Sequence, residues 1–148
     1  MSESEESVVP DLFDRWEWVW HEGRYDLVAE CVAHVYTRHD ESGTRRVTPE
    51  EYAAEIAASR RERPNNRFVV YDHTFAGDRA WFRFTLTWTD PSTGETRTRA
   101  GMQLYRVEGG KLAETWLTLL KLGSAWPDAA GQEHWTSRRA AALPGRRF

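Results

Sequence analysis

A chain of 148 residues, 40% hydrophobic and 29% charged, with no apolar run of bilayer-spanning length, reads as one compact domain outside the membrane. Its net charge of -3 excludes a broad phosphate-binding face, so Arg60, Arg61 and Arg63, and Arg138, Arg139, Arg146 and Arg147, read as solvated surface rather than a nucleic-acid footprint. A single cysteine, Cys31, excludes an internal disulfide, and "MSESEESVVP" is acidic where a secretory leader is basic and then apolar, so a reducing cytoplasm is the expected compartment.

Residues 1–9 read as a polar tail. In "DLFDRWEWVWHEG", Phe13, Trp16, Val19 and Trp20 recur at helical spacing, with Asp11 as cap and Gly23 as stop; Trp18 falls off that stripe. A short helix follows around Tyr25 to Cys31. A β-rich segment, Val32 to Thr37, then ends in Arg38, His39 and Asp40, and "ESGT" reads as a loop. "TPEEYAAEIAASRRERP" is a helix: Thr48 and Glu51 make a capping box, Pro49 suits the first helical position and Pro64 ends it. The period then changes to two. "RFVVYDHTF", "RAWFRFTLTWT", "RTRAGMQLYRV" and "KLAETWLTLL", separated by "AGD", "DPSTG" and "EGG", predict four strands of an antiparallel meander. Residues 124–148 read as a C-terminal tail, with a short helix near Glu133 to Ala142 and Trp126 and Trp135 as tethers. Three helices followed by a curved antiparallel sheet predict an α+β domain whose helices and sheet enclose a cone.

The order of these elements, and a hairpin reading "YRVEGGKLAETW", resembles the nuclear transport factor 2-like superfamily and, within it, the SnoaL-like (polyketide cyclase-like) proteins, over residues 10–123. The resemblance implies a cone-shaped fold and a homodimer formed through the sheet. It leaves activity open, since the superfamily holds cyclases, epoxide hydrolases, isomerases and dehydratases beside proteins with no catalytic role. In cyclases and epoxide hydrolases of this kind it implies a pocket aspartate two or four residues past the tryptophan matching Trp116; Thr118 and Leu120 stand there, and neither exchanges protons at neutral pH. The resemblance also places a pocket arginine near Arg83, with Thr85 where its acidic partner is expected. Strand parity alone sends Phe82, Phe84 and Leu86 to the core and Arg83 outward, whereas the resemblance sends Arg83 inward.

The remaining candidates for proton transfer are His39, which titrates near neutrality, Glu114, the one carboxylate in the row Leu112, Glu114, Trp116, Thr118 and Leu120, and Asp72 beside His73. Each has a structural reading too: His39 as a cap, Glu114 as a surface or dimer-face residue. Tyr36, Tyr71 and Tyr105 are phenols able to support a developing oxyanion. Trp16, Trp20, Tyr36, Tyr52, Ile56, Gln103, Tyr105, Trp116 and Thr118 are the expected lining of the cone. Eight tryptophans in so small a domain favour a flat, apolar ligand. No pair of histidines has the spacing of a helix-borne metal site, so neither metal nor cofactor is expected. Two functions follow: a general acid/base enzyme acting on an apolar cyclic substrate, or a non-catalytic binding or dimeric assembly module.

Overall fold

The computed structural model describes residues 3–137, with side chains from residue 8 onward. Helix α1 spans Glu3–Glu22 and so starts before the expected cap, carrying Pro10 in its interior. Burial of Val9 and Leu12 beside Phe13, Trp16 and Val19 supplies the packing that outweighs the lost backbone hydrogen bond. Trp18, off the main stripe, is also buried. A 3₁₀ turn at Tyr25–Leu27 leads into α2, Val28–Cys31.

Strand β1 runs Val32–Asp40, further than the apolar pattern indicated, and pairs with β2, Gly43–Val47, whose first two residues fall in the expected loop and whose last three had no expected element. The turn between them is tied by Asp40 Oδ1, which accepts from the Ser42 amide at 2.9 Å, and by Gly43 at φ +101°. Helix α3, Pro49–Glu62, has the expected capping box: Thr48 Oγ1 accepts from the Glu51 amide at 3.1 Å and Glu51 Oε1 from the Thr48 amide at 2.8 Å. Strands β3 (Arg67–Ala76), β4 (Arg79–Thr89), β5 (Thr96–Glu108) and β6 (Lys111–Leu119) form the meander.

All six strands make one curved, unclosed sheet in the order β2-β1-β6-β5-β4-β3, antiparallel except where β1 meets β6. The fold is thus the expected α+β cone. Directly opposed residues share a face, so the register defines two surfaces. The inner one carries rows Arg38-Thr115-Tyr105-Ala80, then Leu117-Gln103-Phe82, then Leu119-Gly101-Phe84. The outer one carries His39-Trp116-Leu104-Trp81 and Thr118-Met102-Arg83. Gly101 has a packing reason: a Cβ there would lie 2.8 Å from both Leu119 Cδ2 and Phe84 Cζ. Register shifts between Arg106 and Val107 and between Val32 and Thr37 break the simple alternation, which is why Leu112 is fully buried while Glu114 and Trp116 face outward.

The segment after β6 is a strap. Trp126 Nε1 donates to Gly101 O at 3.3 Å on one side of the sheet, and the Gln132 amide donates to Val70 O at 2.7 Å. Trp135 reaches the helical side, where its amide donates to Glu17 at 2.9 Å and its indole N–H to Phe68 O at 2.9 Å; Thr136 Oγ1 bonds Asp14 at 2.7 Å. Both expected tethers are therefore made. Glu133–Ser137 form bends and a turn in place of the expected helix, whose remainder to Ala142 lies outside the described residues, as do Arg138, Arg139, Arg146 and Arg147.

Candidate functional site

A cavity of about 270 Å³ opens between the inner sheet face, α3 and the β1–β2 turn. Its far wall is apolar, with Phe82, Phe84 and Leu86 from β4, Leu117 and Leu119 from β6, and Trp135 contributed by the strap. Its other end is charged. Alternation along β1 puts Tyr36, Arg38 and Asp40 on the inner face, and β2 and α3 add Arg45 and Glu55.

Arg38 is 6% exposed. Its guanidinium carbon lies 4.8 Å from the centre of the Tyr52 ring and 5.6 Å from that of Tyr36, and Nη1 donates to the Tyr36 hydroxyl at 3.2 Å. Asp40 Oδ2 stands 3.6 Å from both Arg38 Nη2 and Arg45 Nη2, at ion-pair rather than hydrogen-bond distance. Arg45 makes its short contact elsewhere, 2.7 Å to Glu55. Burial pushes the Tyr36, Tyr52 and Tyr105 phenols above their ordinary range, so all three keep their protons. Behind them, Gln103 Nε2 donates to Thr115 Oγ1 at 3.1 Å, and Thr115 donates to Leu104 O at 3.0 Å.

Of the residues the sequence singled out, Trp20, Tyr52, Ile56, Gln103 and Tyr105 line this cavity. Trp16 and Tyr36 sit behind it in the core, at 1% and 0% exposure, with Trp16 stacked on Tyr52. His39, Glu114, Trp116 and Thr118 stand on the outer face instead, because β1 and β6 alternate with Arg38, Thr115 and Leu117 pointing in. There His39 Nε2 meets Glu114 Oε2 at 2.7 Å, His39 Nδ1 meets Thr44 Oγ1 at 2.8 Å, and the imidazole stacks on Trp116 at 5.3 Å. The His39 ring and the Arg106 guanidinium, 3.2 Å away, hold the Glu114 carboxyl below its usual range.

Asp72 and Arg83 are also outside the cavity. Arg83 grips Asp72 at 3.1 and 3.2 Å and Asp128 of the strap at 2.8 and 2.9 Å, between Tyr71 and Trp126, so parity prevails for this arginine. The Tyr71 hydroxyl donates to Thr85, His73 Nδ1 meets Gln132 at 3.0 Å, and His34 is exposed. The four candidate catalytic residues, His39 with Glu114 and Asp72 with Arg83, thus form two separate outer-face clusters. Sequence reasoning passed over Arg38, Asp40, Arg45 and Glu55. A signal for the first two was present: a β-segment with Tyr36 inward has Arg38 and Asp40 inward, and His39 outward.

The sequence pattern of the SnoaL-like domain matches residues 13–115, more than half of the chain. The chain belongs to the SnoaL-like family. Among solved structures, this SnoaL-like chain is similar to a proposed polyketide cyclase from Acidithiobacillus ferrooxidans, with 24% identity, a TM-score of 0.68, and 79% of this chain and 89% of that one covered. A proposed SnoaL-like polyketide cyclase from Jannaschia sp. CCS1 matches with 19% identity, a TM-score of 0.68 and coverage of 80% and 89%. A SnoaL-like polyketide cyclase from Agrobacterium tumefaciens C58 matches with 16% identity, a TM-score of 0.66 and coverage of 76% and 91%. At such identities the likeness concerns the fold. No curated protein sequence matches the chain. Among the described residues, no helix is long and apolar enough to cross a membrane, and no group of three or more His, Cys, Asp or Glu is arranged to hold a metal ion.

Proposed function

We propose that this SnoaL-like chain is a proton-transfer enzyme acting on an apolar, cyclic small molecule held in the cavity, with Asp40 as general base. The observation that carries this reading is the position of Asp40: a carboxylate 11% exposed, facing the cavity from its charged end, with one oxygen tied to the turn and the other only at ion-pair distance from two arginines. An oxygen so placed has a lone pair left to accept a substrate proton. Negative charge that then develops on the substrate meets Arg38, fixed by Tyr36 and Tyr52 before any ligand arrives, and a preorganised cation in a poorly hydrated site stabilises such charge strongly. The apolar wall positions the rings, and the reaction class (isomerisation, cyclisation, dehydration or hydrolysis) follows from which bond the resulting anion breaks or forms.

His39 and Glu114 enter this reading differently. They sit on the outer face with Trp81 at 40% and Trp116 at 37% exposure, and this combination of exposed indoles and ion pairs supports a homodimer through the sheet. A cytoplasmic location belongs to the same proposal, supported by a single cysteine, Cys31, that has no partner for an internal disulfide.

The test is a thermal-shift screen against polycyclic aromatics, steroids, terpenoids and their epoxides, with each binder analysed by mass spectrometry after incubation. A binder recovered chemically altered by the wild type and unaltered by Asp40→Asn supports the reading. Binders recovered intact from the wild type would make the cavity a non-catalytic binding site.

A further inference from the structure

The charges around the cavity do not balance. Arg38, Arg45, Arg63 and Arg99 line it against Asp40, Glu41 and Glu55. Two of the arginines are matched at short range: Arg45 by Glu55 at 2.7 Å, and Arg99 by Glu41 at 3.0 and 3.2 Å. Arg63 stacks over Trp88 and bonds Ser59 on the intermediate surface at the rim, where water reaches it. Arg38 is the one set deep. Its hydrogen bond among the described residues is the single one to Tyr36, its Nε is buried with no partner, and Asp40 stands at 3.6 Å while being shared with Arg45. A guanidinium has five N–H donors and stays charged at any physiological pH. Leaving Nε unmade in a buried place, with Nη2 no closer than 3.6 Å to Asp40, is costly unless something arrives to improve the pairing.

We propose that the ligand taken by this cavity is a monoanion, an aromatic or polycyclic carboxylate whose head pairs with Arg38 while its rings lie against Phe82, Phe84, Leu117 and Leu119. This rests on the cavity being a small-molecule site, as in the reading above, and adds the class of molecule. A neutral ligand would expel water from the cavity and leave Arg38 with its donors unmade. One negative charge brings four cations and three anions to neutrality, and a planar carboxylate matches the guanidinium fork in a way that a single carbonyl does not. The rings sit beyond it, where eight tryptophans' worth of aromatic sequence contributes Trp20 and Trp135 to the walls.

The experiment is a calorimetric titration of the full chain at neutral pH with 2-naphthoate and with 2-naphthamide, which share a shape and differ in charge. The wild type is expected to bind the naphthoate about tenfold or more tightly than the amide, the scale of a hydrogen-bonded charge. Arg38→Gln is expected to bring the ratio to within about twofold, and Arg79→Gln, at a side chain that lies over Trp116 on the outer face away from the cavity, to keep the wild-type ratio. Equal affinity for the two ligands in the wild type, or an undiminished ratio in Arg38→Gln, overturns the proposal. Should Arg38→Gln fail to fold by circular dichroism, Arg38→Lys decides: it keeps a charge but loses the fork, so the ratio should fall several-fold, and an unchanged ratio overturns the proposal. Failure of both ligands to bind overturns this proposal and the cavity reading together. A clear preference for the naphthoate with no molecule in the wider screen being turned over sustains the anion site and overturns the catalytic reading alone.

Discussion

The two faces of one sheet carry two different kinds of polar chemistry, one residue apart. On β1, Arg38 and Asp40 face a cavity beneath α3, shielded and only loosely paired; His39 between them faces outward, with Glu114 at 2.7 Å and Thr44 at 2.8 Å. The outer pair is better bonded, yet it is the inner one that the proposed function gives to a ligand. A group whose hydrogen bonds are all made has little to offer a substrate, whereas one held at 3.6 Å by its neighbours has capacity in reserve. Completeness of bonding marks a structural site more than a reactive one here.

The contrast is broken most severely by removing bulk. Phe84→Ala, on the inner face at 2% exposure, is expected to cost about 3–5 kcal/mol in a denaturant titration, while Trp116→Ala on the outer face should cost the monomer under about 1 kcal/mol. Its larger effect should fall on association: sedimentation of Trp116→Ala should show a weakened dimer, and unchanged sedimentation would take the outer indole out of the dimer contact. Next in size is catalysis. Asp40→Asn should lower turnover by about a hundredfold, near 2.7 kcal/mol of barrier, whereas His39→Gln should leave it within about twofold; the reverse ranking would move the chemistry to the outer face.

A histidine and a carboxylate sharpen the comparison through pH. His21 Nε2 accepts the Phe68 amide at 2.9 Å, and burial, with Arg67 and Arg60 nearby, lowers its pKa to about 3. Its folded pKa lies below the unfolded value near 6.5, so the stability it contributes is complete above pH 6.5 and is lost as pH falls toward 3. By pH 5 the loss should be about 2 kcal/mol, visible as a falling Tm, and His21→Gln should flatten that slope. The smallest effect belongs to the outer face. Glu114 is held below its usual range by His39 and Arg106, so its contribution is present above the ordinary carboxylate value and fades as pH drops through and below it; Glu114→Gln should cost no more than about 1 kcal/mol.

How much of this was legible in the sequence depends on which physical signal carried it. The capping box of α3, the meander and the inward Phe82, Phe84 and Leu86 follow from local chemistry and period, and all are found. The β1–β2 hairpin was missed because its strand is short and charged, "GTRRV", and is held by pairing rather than by an apolar row. Leu112 was put on the wrong face because a register shift is not encoded in alternation. Tyr36 and His39 cannot both face the cone from a regular strand, and following that parity through would have exchanged His39 for Arg38 and Asp40. Trp135 as cavity wall was out of reach, since nothing local ties it to Glu17 or Phe68 far back in the chain.

That strap also bears on how the molecule is made. The hydrogen bond from Thr136 to Asp14 closes a separation of 122 residues, and Trp135 to Glu17 one of 118, so the cavity acquires its last wall from contacts of very long sequence range. Such contacts bear the full entropy of loop closure before they return anything, which slows folding. A ribosome must therefore release Trp135 and Thr136 before the cavity is complete, and until then the sides of Phe68 and Phe82 that Trp135 covers stay open.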